Sequence, residues 1–348
     1  MPCSNRLQLI GAPASPYTQK MLGLLRYRHI PYSVIWGMPE DVMQQMRVAD
    51  RPKLLFLPTF LFDEGPDQLV ARCDSTPIIR QLESLYAGRS VLPQDPALAF
   101  IDYLLEDFAD EWVTKYMFHY RWYPKEDADN AGTLLPLSSG PHVSETAAAQ
   151  FKDIFTQRQV ARLKYVGSNE KTAPVIEASY RRFLRAMQAH LSEQPFLLGQ
   201  QPAAGDFAIY GQLTQLVGVD PTPRSLAHEL SPRTVGWVHM MTDLSGLTSQ
   251  ADAWTELEQQ PDTLRGLLLE IGRVYAPALL ANAKAVEAGD ESWNAQIDGC
   301  QWQQKSFPYQ AKCLGWINEA YQGLSASDQK RVDLILDGTG CEAMLQAG

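Results

Sequence analysis

Long apolar runs are missing from this chain. No stretch approaches the roughly 18 consecutive apolar residues that a membrane-spanning helix needs, so no transmembrane segment is expected. The first residues, MPCSNRLQLIGAP, carry one Arg and no extended apolar stretch, and no signal peptide is expected from them. Basic blocks and basic-aromatic stripes are missing too. With 30 Lys+Arg against 40 Asp+Glu, the formal net charge is −10 and the sequence pI is about 5.1. Neither nucleic acid nor an anionic membrane surface is therefore expected as a partner. Cysteine is sparse: Cys3, Cys73, Cys300, Cys313 and Cys341 are scattered and odd in number. There is no CxxC and no Cys/His cluster at zinc spacing, so neither a disulfide framework nor a metal site is expected. The expected setting is reducing, hence cytoplasmic.

What remains is an ordinary globular composition, 45% hydrophobic and 20% charged over 348 residues, long enough for two domains. Residues 6–12 (RLQLIGA), 31–36 (PYSVIW), 54–62 (LLFLPTFLF) and 68–73 (QLVARC) read as strands. Tyr17, Met21, Leu24, Leu25 and Arg28 share a face at helical spacing. Residues 38–53 suggest an irregular helix, and 74–88 a helix with Gly after its last turn. RSVLPQDP (89–96) reads as a linker. Beyond it strand signals nearly vanish. Residues 97–123, 144–166, 173–194 and 205–219 carry helical periodicity, and 253–286, 291–322 and 325–337 carry it more weakly. The expected fold class is an α/β domain over residues 1–88 followed by an all-α domain over 97–348, with a C-terminal extension.

Three short stretches hold the candidate chemistry. Ser15-Pro16 is an ordinary helix start, since Ser is a preferred cap and Pro suits the first helical position. Leu57-Pro58 lies inside the most apolar strand candidate, although proline is excluded from a central ladder. An edge strand with a trans proline and a cis peptide both satisfy that constraint. Asp74-Ser75-Thr76-Pro77 is again a helix start, with Thr76 as the expected cap. It leaves Asp74 and Ser75 just ahead of a helix N-terminus, where open N–H groups and the positive dipole end favour an anion. Asp74 suits an ammonium, and Ser75 with the backbone suits a carboxylate. A zwitterionic amino-acid headgroup fits that pair.

In order and spacing, SPYTQK, LPTFLFDEG and CDSTPII resemble the S/C-P-[FY], V-P-x-L and [ED]-S-x-x-I motifs of the glutathione transferase superfamily. FLLGQQPAAGDFAIYGQL (196–213) is similar to that family's F-L-x-G-x-x-x-x-x-A-D-x-x-[IL] segment, which starts a buried helix. The resemblance implies a thioredoxin-like N-terminal domain, glutathione as the bound cofactor, a small hydrophobic electrophile as second partner, and a homodimer. It places Ser15 against the glutathione sulfur, as donor to a thiolate whose pKa falls from about 8.5 toward neutrality. Leu57, before Pro58, would pair its backbone with the cysteinyl part. Asp74 and Ser75 would hold the γ-glutamyl end, and Lys53 is a candidate for the glycine carboxylate or a solvated surface lysine. The family members with cysteine at the Ser15 position perform thiol transfer, which a serine cannot. Ala203 stands where the family has a capping hydroxyl, and Asp206 is expected to cap its helix instead.

The helix ALAFIDYLLEDFADEWVTKYMFHYRWY (97–123) is rich in aromatics. Phe108, Trp112, Tyr116 and Tyr120 lie four apart on one face and read as core. Tyr116 and His119 are candidates to reach an acceptor substrate, against the simpler reading of a buried phenol and a satisfied histidine. Glu106, Asp107, Asp110 and Glu111 read as a solvated charge run or as partners for arginine elsewhere. Residues from about 225 onward exceed what a compact transferase needs and are expected to pack as helices. The expected function is conjugation of the glutathione thiolate to a small hydrophobic electrophile. A non-catalytic binding or interaction protein of the same fold, and a glutathione-dependent isomerase or dehalogenase, are the alternatives.

Overall fold

The computed structural model describes residues 7–48, 50–65, 69–248 and 253–345. Cys3, Arg6 and Gln68, each part of a sequence expectation, lie outside them. The N-terminal domain runs β1 (Leu7–Gly11), α1 (Pro16–Tyr27), β2 (Tyr32–Trp36), α2 (Pro39–Met46), β3 (Thr59–Asp63), β4 (Leu69–Arg72) and α3 (Ser75–Leu85). The sheet order is β2-β1-β3-β4, with β1 parallel to β2 and antiparallel to β3, and β3 antiparallel to β4. Successive residues of β1 point to opposite faces. Leu9 joins Met21, Leu25, Ile79 and Leu82 of α1 and α3, whereas Ile10 joins Val42 and Met43 of α2. The sheet is thus covered on both sides, and β1 and β3 are buried along most of their length.

The third strand is shorter than its apolar run suggested. It begins only at Thr59, after a cis Leu57–Pro58 peptide bond, and Leu54 and Phe56 are 69% and 53% exposed. Those residues form a loop rather than a ladder.

The helical region contains α4 (Pro96–Phe108), a π-helical turn (Ala109–Val113), α5 (Thr114–Trp122), α6 (Lys125–Ser139), α7 (Glu145–Val160), α8 (Leu163–Val166), α9 (Ala173–His190) and α10 (Ala204–Gly218). It continues with α11 (Pro221–Leu230), α12 (Pro232–Met241), α13 (Leu264–Glu270), a second π turn (Ile271–Tyr275) and α14 (Ala276–Ala288). A hairpin of β5 (Ser292–Ile297) and β6 (Cys300–Lys305) follows, then α15 (Pro308–Gln322), α16 (Ala326–Leu336) and α17 (Glu342–Leu345). The hairpin corrects the all-helical reading of 291–322. Its turn is Asp298-Gly299, both at positive φ (51° and 75°), the two-residue Asp-Gly connection that matches strand twist. Trp293, Ile297 and Trp302 bury one face of it. No helix among the described residues is long and apolar enough to cross a membrane.

One apolar core runs through both domains. A glycine lets the two domains meet backbone to backbone. A Cβ on Gly211 of α10 would lie 2.4 Å from the Pro16 carbonyl oxygen, so α1 rests directly on the backbone of α10. The start of α10 is closed by Asp206, as the sequence suggested: from the third helical position its carboxylate reaches back to accept the N–H of the cap residue Ala203 and that of Leu197, at 2.9 Å each. Asp102 of α4 supplies a cap from outside, accepting the Gly205 N–H at 2.9 Å. A Cβ on Gly205 would meet that carboxylate oxygen at 3.0 Å. The glycine there makes room for a distant aspartate.

Candidate functional site

The sheet registers bring the three candidate stretches to one end. Ile10 at the end of β1 pairs with Thr59 at the start of β3, and Phe60 pairs with Arg72 at the end of β4. The loop to Ser15, the Leu57–Pro58 bond and the Asp74-Ser75 turn therefore leave the same edge. Ser15 is the cap of α1, its Oγ accepting the Thr18 N–H at 3.3 Å with Pro16 following. The accepting oxygen leaves the hydroxyl hydrogen to donate. Asp74 is at φ 84° and makes no side-chain cap. No side-chain acceptor in the cap position closes the first turn of α3, a helix of 11 residues. Leu57 is half-buried, and Lys53 is exposed on the loop ahead of it.

A buried lysine ties these helix starts together. Lys20 Nζ donates to Ser75 Oγ (2.9 Å), Glu106 Oε1 (2.8 Å) and Asp110 Oδ2 (2.6 Å). All three ammonium hydrogens are used. Thr76 Oγ1 donates to Glu106 Oε1 at 2.9 Å rather than capping α3, and Arg80 reaches Glu106 Oε2 at 3.3 Å. Burial would lower the Lys20 pKa, but Asp110 and Glu106 outweigh it and hold the ammonium charged. Burial would likewise raise Glu106, yet Lys20 and Arg80 hold it below its ordinary range. The charge run at 106–111 is thus no solvated face. Glu106, Asp107 and Asp110 are buried, and Asp107 accepts from the Tyr275 hydroxyl. The π turn carries both Asp110 and Glu111.

The loop before α1 is clamped from the helical side. Arg121 Nη1 donates to the Ala14 carbonyl at 3.0 Å, while its Nε grips Asp220 at 2.9 and 3.0 Å and its Nη2 reaches Gln215 Oε1 at 2.8 Å. Lys20 and Arg121 are the site-building residues that the motifs did not point to. The available signal was a lysine four residues before Leu24, on the apolar face of α1. Arg121 had none, because its partners lie about a hundred positions away.

Tyr116 and His119 lie elsewhere, which corrects the expectation of an acceptor role. Both are wholly buried in the helical core. The Tyr116 hydroxyl shares a 2.6 Å hydrogen bond with Ser179 Oγ, and His119 Nδ1 one of 2.8 Å with Ser168 Oγ. Burial pushes His119 down to about 4, so it is a neutral ring in the core. Their helix turns Phe108, Trp112, Tyr116 and Tyr120 inward together, while Glu111 on the π turn accepts from Gln310 of α15. Burial pushes the Glu111 carboxyl up to about 8, with Asp107 adding to it.

The glutathione S-transferase N-terminal domain model matches residues 9–90, and the corresponding C-terminal domain model matches residues 148–239. The chain belongs to the glutathione transferase superfamily. Residues 240–345 of this glutathione transferase relative lie beyond both matches. Comparison with curated proteins yields no match. Among solved structures, the chain is similar to a GST-like protein from Pseudomonas syringae at 15% identity, covering 68% of this chain and 66% of that one, with a TM-score of 0.44. It is similar to a glutathione transferase family member from Pseudomonas fluorescens, solved with two glutathione bound, at 16% identity over 77% of this chain and 94% of that one (TM-score 0.42). A glutathione S-transferase of Ceriporiopsis subvermispora in complex with glutathione is 15% identical over 70% of this chain and 99% of that one (TM-score 0.45).

Proposed function

We propose that this glutathione transferase-fold protein binds glutathione at the shared sheet edge and conjugates its thiolate to a small hydrophobic electrophile. The observation that carries the reading is the convergence of Ser15, Leu57 and Asp74-Ser75 at one end of the sheet. Each offers a different chemistry. The first turn of α3, with no side-chain cap, and the Ser75 hydroxyl suit the γ-glutamyl carboxylate. Lys20 behind Ser75 adds positive charge, offset by Glu106 and Asp110. Asp74 suits the ammonium, the Leu57 backbone the cysteinyl peptide, and Lys53 the glycine carboxylate.

The Ser15 hydroxyl donates to the sulfur, and the N-terminus of α1 adds its dipole. Both favour the thiolate over the thiol. The thiol proton goes to solvent, the sulfur lone pair forms the new bond to the electrophilic carbon, and that carbon's leaving group departs with its electron pair.

Titration calorimetry with glutathione tests the reading. Wild type should bind in the micromolar to millimolar range, and Ser75→Ala should weaken binding about tenfold, near 1.4 kcal/mol. Ser15→Ala should then abolish conjugation across a panel of electrophiles while leaving glutathione bound. A wild type that does not bind glutathione would sink the reading and leave Ser15 as a helix cap alone.

A further inference from the structure

The first turn of α15 bridges the sheet domain and the helical domain. Its entry is fixed from within the helical domain: buried Asn282 donates to the Phe307 carbonyl at 2.9 Å and accepts the Phe307 N–H at 2.8 Å. Two residues on, the Tyr309 hydroxyl donates to Asp74 Oδ2 at 2.7 Å. The next residue, Gln310, donates to the side chain and carbonyl of Glu111 at 3.0 and 3.3 Å. Consecutive residues thus grip the Asp74 turn on the sheet domain and the π turn on the helical domain. The Tyr309 ring is held by Phe307 and Trp316, with centroids 6.2 and 5.7 Å away.

Asp74 has one side-chain hydrogen bond among the described residues, and Tyr309 makes it. A neutral donor on one oxygen fixes the direction of the carboxylate and leaves its charge and its second oxygen free. Burial, with Asp74 beside it, pushes the Tyr309 hydroxyl far above its ordinary value, so it remains a donor at physiological pH. The alternative is competition, in which the hydroxyl occupies the place of a ligand's ammonium. The remaining free oxygen favours positioning.

We propose that Tyr309 is a positioning residue of the glutathione site, holding Asp74 so that its carboxylate meets the ammonium of the γ-glutamyl group. The inference rests on the glutathione reading and makes the C-terminal region, beyond both family matches, part of the first-substrate site. The group recognised is a primary ammonium next to a carboxylate.

Calorimetry would compare glutathione with an analogue whose γ-glutamyl amino group is replaced by hydrogen. Wild type should prefer glutathione at least about tenfold. Tyr309→Phe, which keeps the ring stack, should lose about fivefold in glutathione affinity and leave the analogue's affinity unchanged. In the conjugation assay its KM for glutathione should rise by the same factor with kcat unchanged. In an Asp74→Ala background the same substitution should add nothing. Thermal unfolding checks that the variant is folded, and the wild-type preference tests the inference without any variant. Equal loss for both ligands, no loss, or tighter glutathione binding would overturn the positioning role alone. No wild-type preference for the amino-bearing ligand would overturn it as well. Failure of wild type to bind glutathione at all would overturn the underlying reading and this inference with it.

Discussion

The two helices that start at the shared end of the sheet, α1 and α3, begin in different ways, although both follow a Ser/Thr-Pro signal. α1 is closed by its own cap, with Ser15 accepting the Thr18 N–H. α3 has no side-chain cap. Its candidate cap, Thr76, donates to Glu106, and its cap-position Asp74 turns to Tyr309. The self-capped start has one first-turn N–H satisfied and retains a hydroxyl hydrogen to donate. An uncapped start keeps its N–H groups open for an anion. The same local signal therefore produces one self-capped and one open helix start, and the surrounding elements decide which.

The strongest way to break that comparison is to remove the residue that joins both starts. Lys20→Met leaves Glu106 and Asp110 buried without their ammonium and should cost about 3–5 kcal/mol in urea unfolding. Gly211→Ala should disturb both starts more mildly. Its Cβ would meet the Pro16 carbonyl at 2.4 Å and Lys20 Cβ at 3.0 Å, and forcing α1 off α10 should cost about 1–3 kcal/mol. Conjugation should fall through displacement of Ser15 and of the Lys20 contact to Ser75.

Ser15 itself separates cap from chemistry. Ser15→Ala should lose about 1 kcal/mol of stability together with activity. Ser15→Asp, an equally good cap, should keep the stability and still lose the activity, because a carboxylate repels a thiolate. A fully active Ser15→Asp would show that the hydroxyl carries no chemistry.

The smallest effect concerns pH. Glu111 is raised from 4.5 to about 8 by burial and then by Asp107, with Asp110 adding to the rise and Gln310 and Lys115 opposing it. A carboxyl raised on folding contributes stability that is full below its unfolded value and is lost as pH climbs through the folded value. The loss of thermal stability between pH 5 and 8 should therefore shrink in Glu111→Gln by about 2 °C. An unchanged slope would place the titration elsewhere, in Asp107 or Asp110.

Local pattern found the sheet domain because period-two alternation and turn residues act over a few positions. It overran at Leu54–Leu57, where apolar residues sit on an exposed loop, since composition reports hydrophobicity and not pairing. It missed the β5–β6 hairpin, although Asp298-Gly299 between alternating Trp293, Ala295 and Ile297 was the signal for it. It left the acidic run from 106 to 111 open between a solvated face and a partner for arginine, and could not choose, because the cations and donors that meet those carboxylates, Arg80 among them, come from α1, α3 and the second π turn.

The sequence by itself determined the order of the elements in the sheet domain, that helices start at Ser15 and in the Asp74–Pro77 stretch, and the family motifs, all of which depend on near neighbours in the chain. Tertiary structure alone decided that Asp102 caps α10, that Lys20 joins Ser75 to Glu106, that Tyr116 and His119 face the core, and that Tyr309 reaches Asp74. Each of those is a contact between residues separated by some 50 to 240 positions, or a choice of helix face set by such contacts. Which donors and carboxylates meet at that distance depends on how the helices pack, and no spacing within one element encodes it.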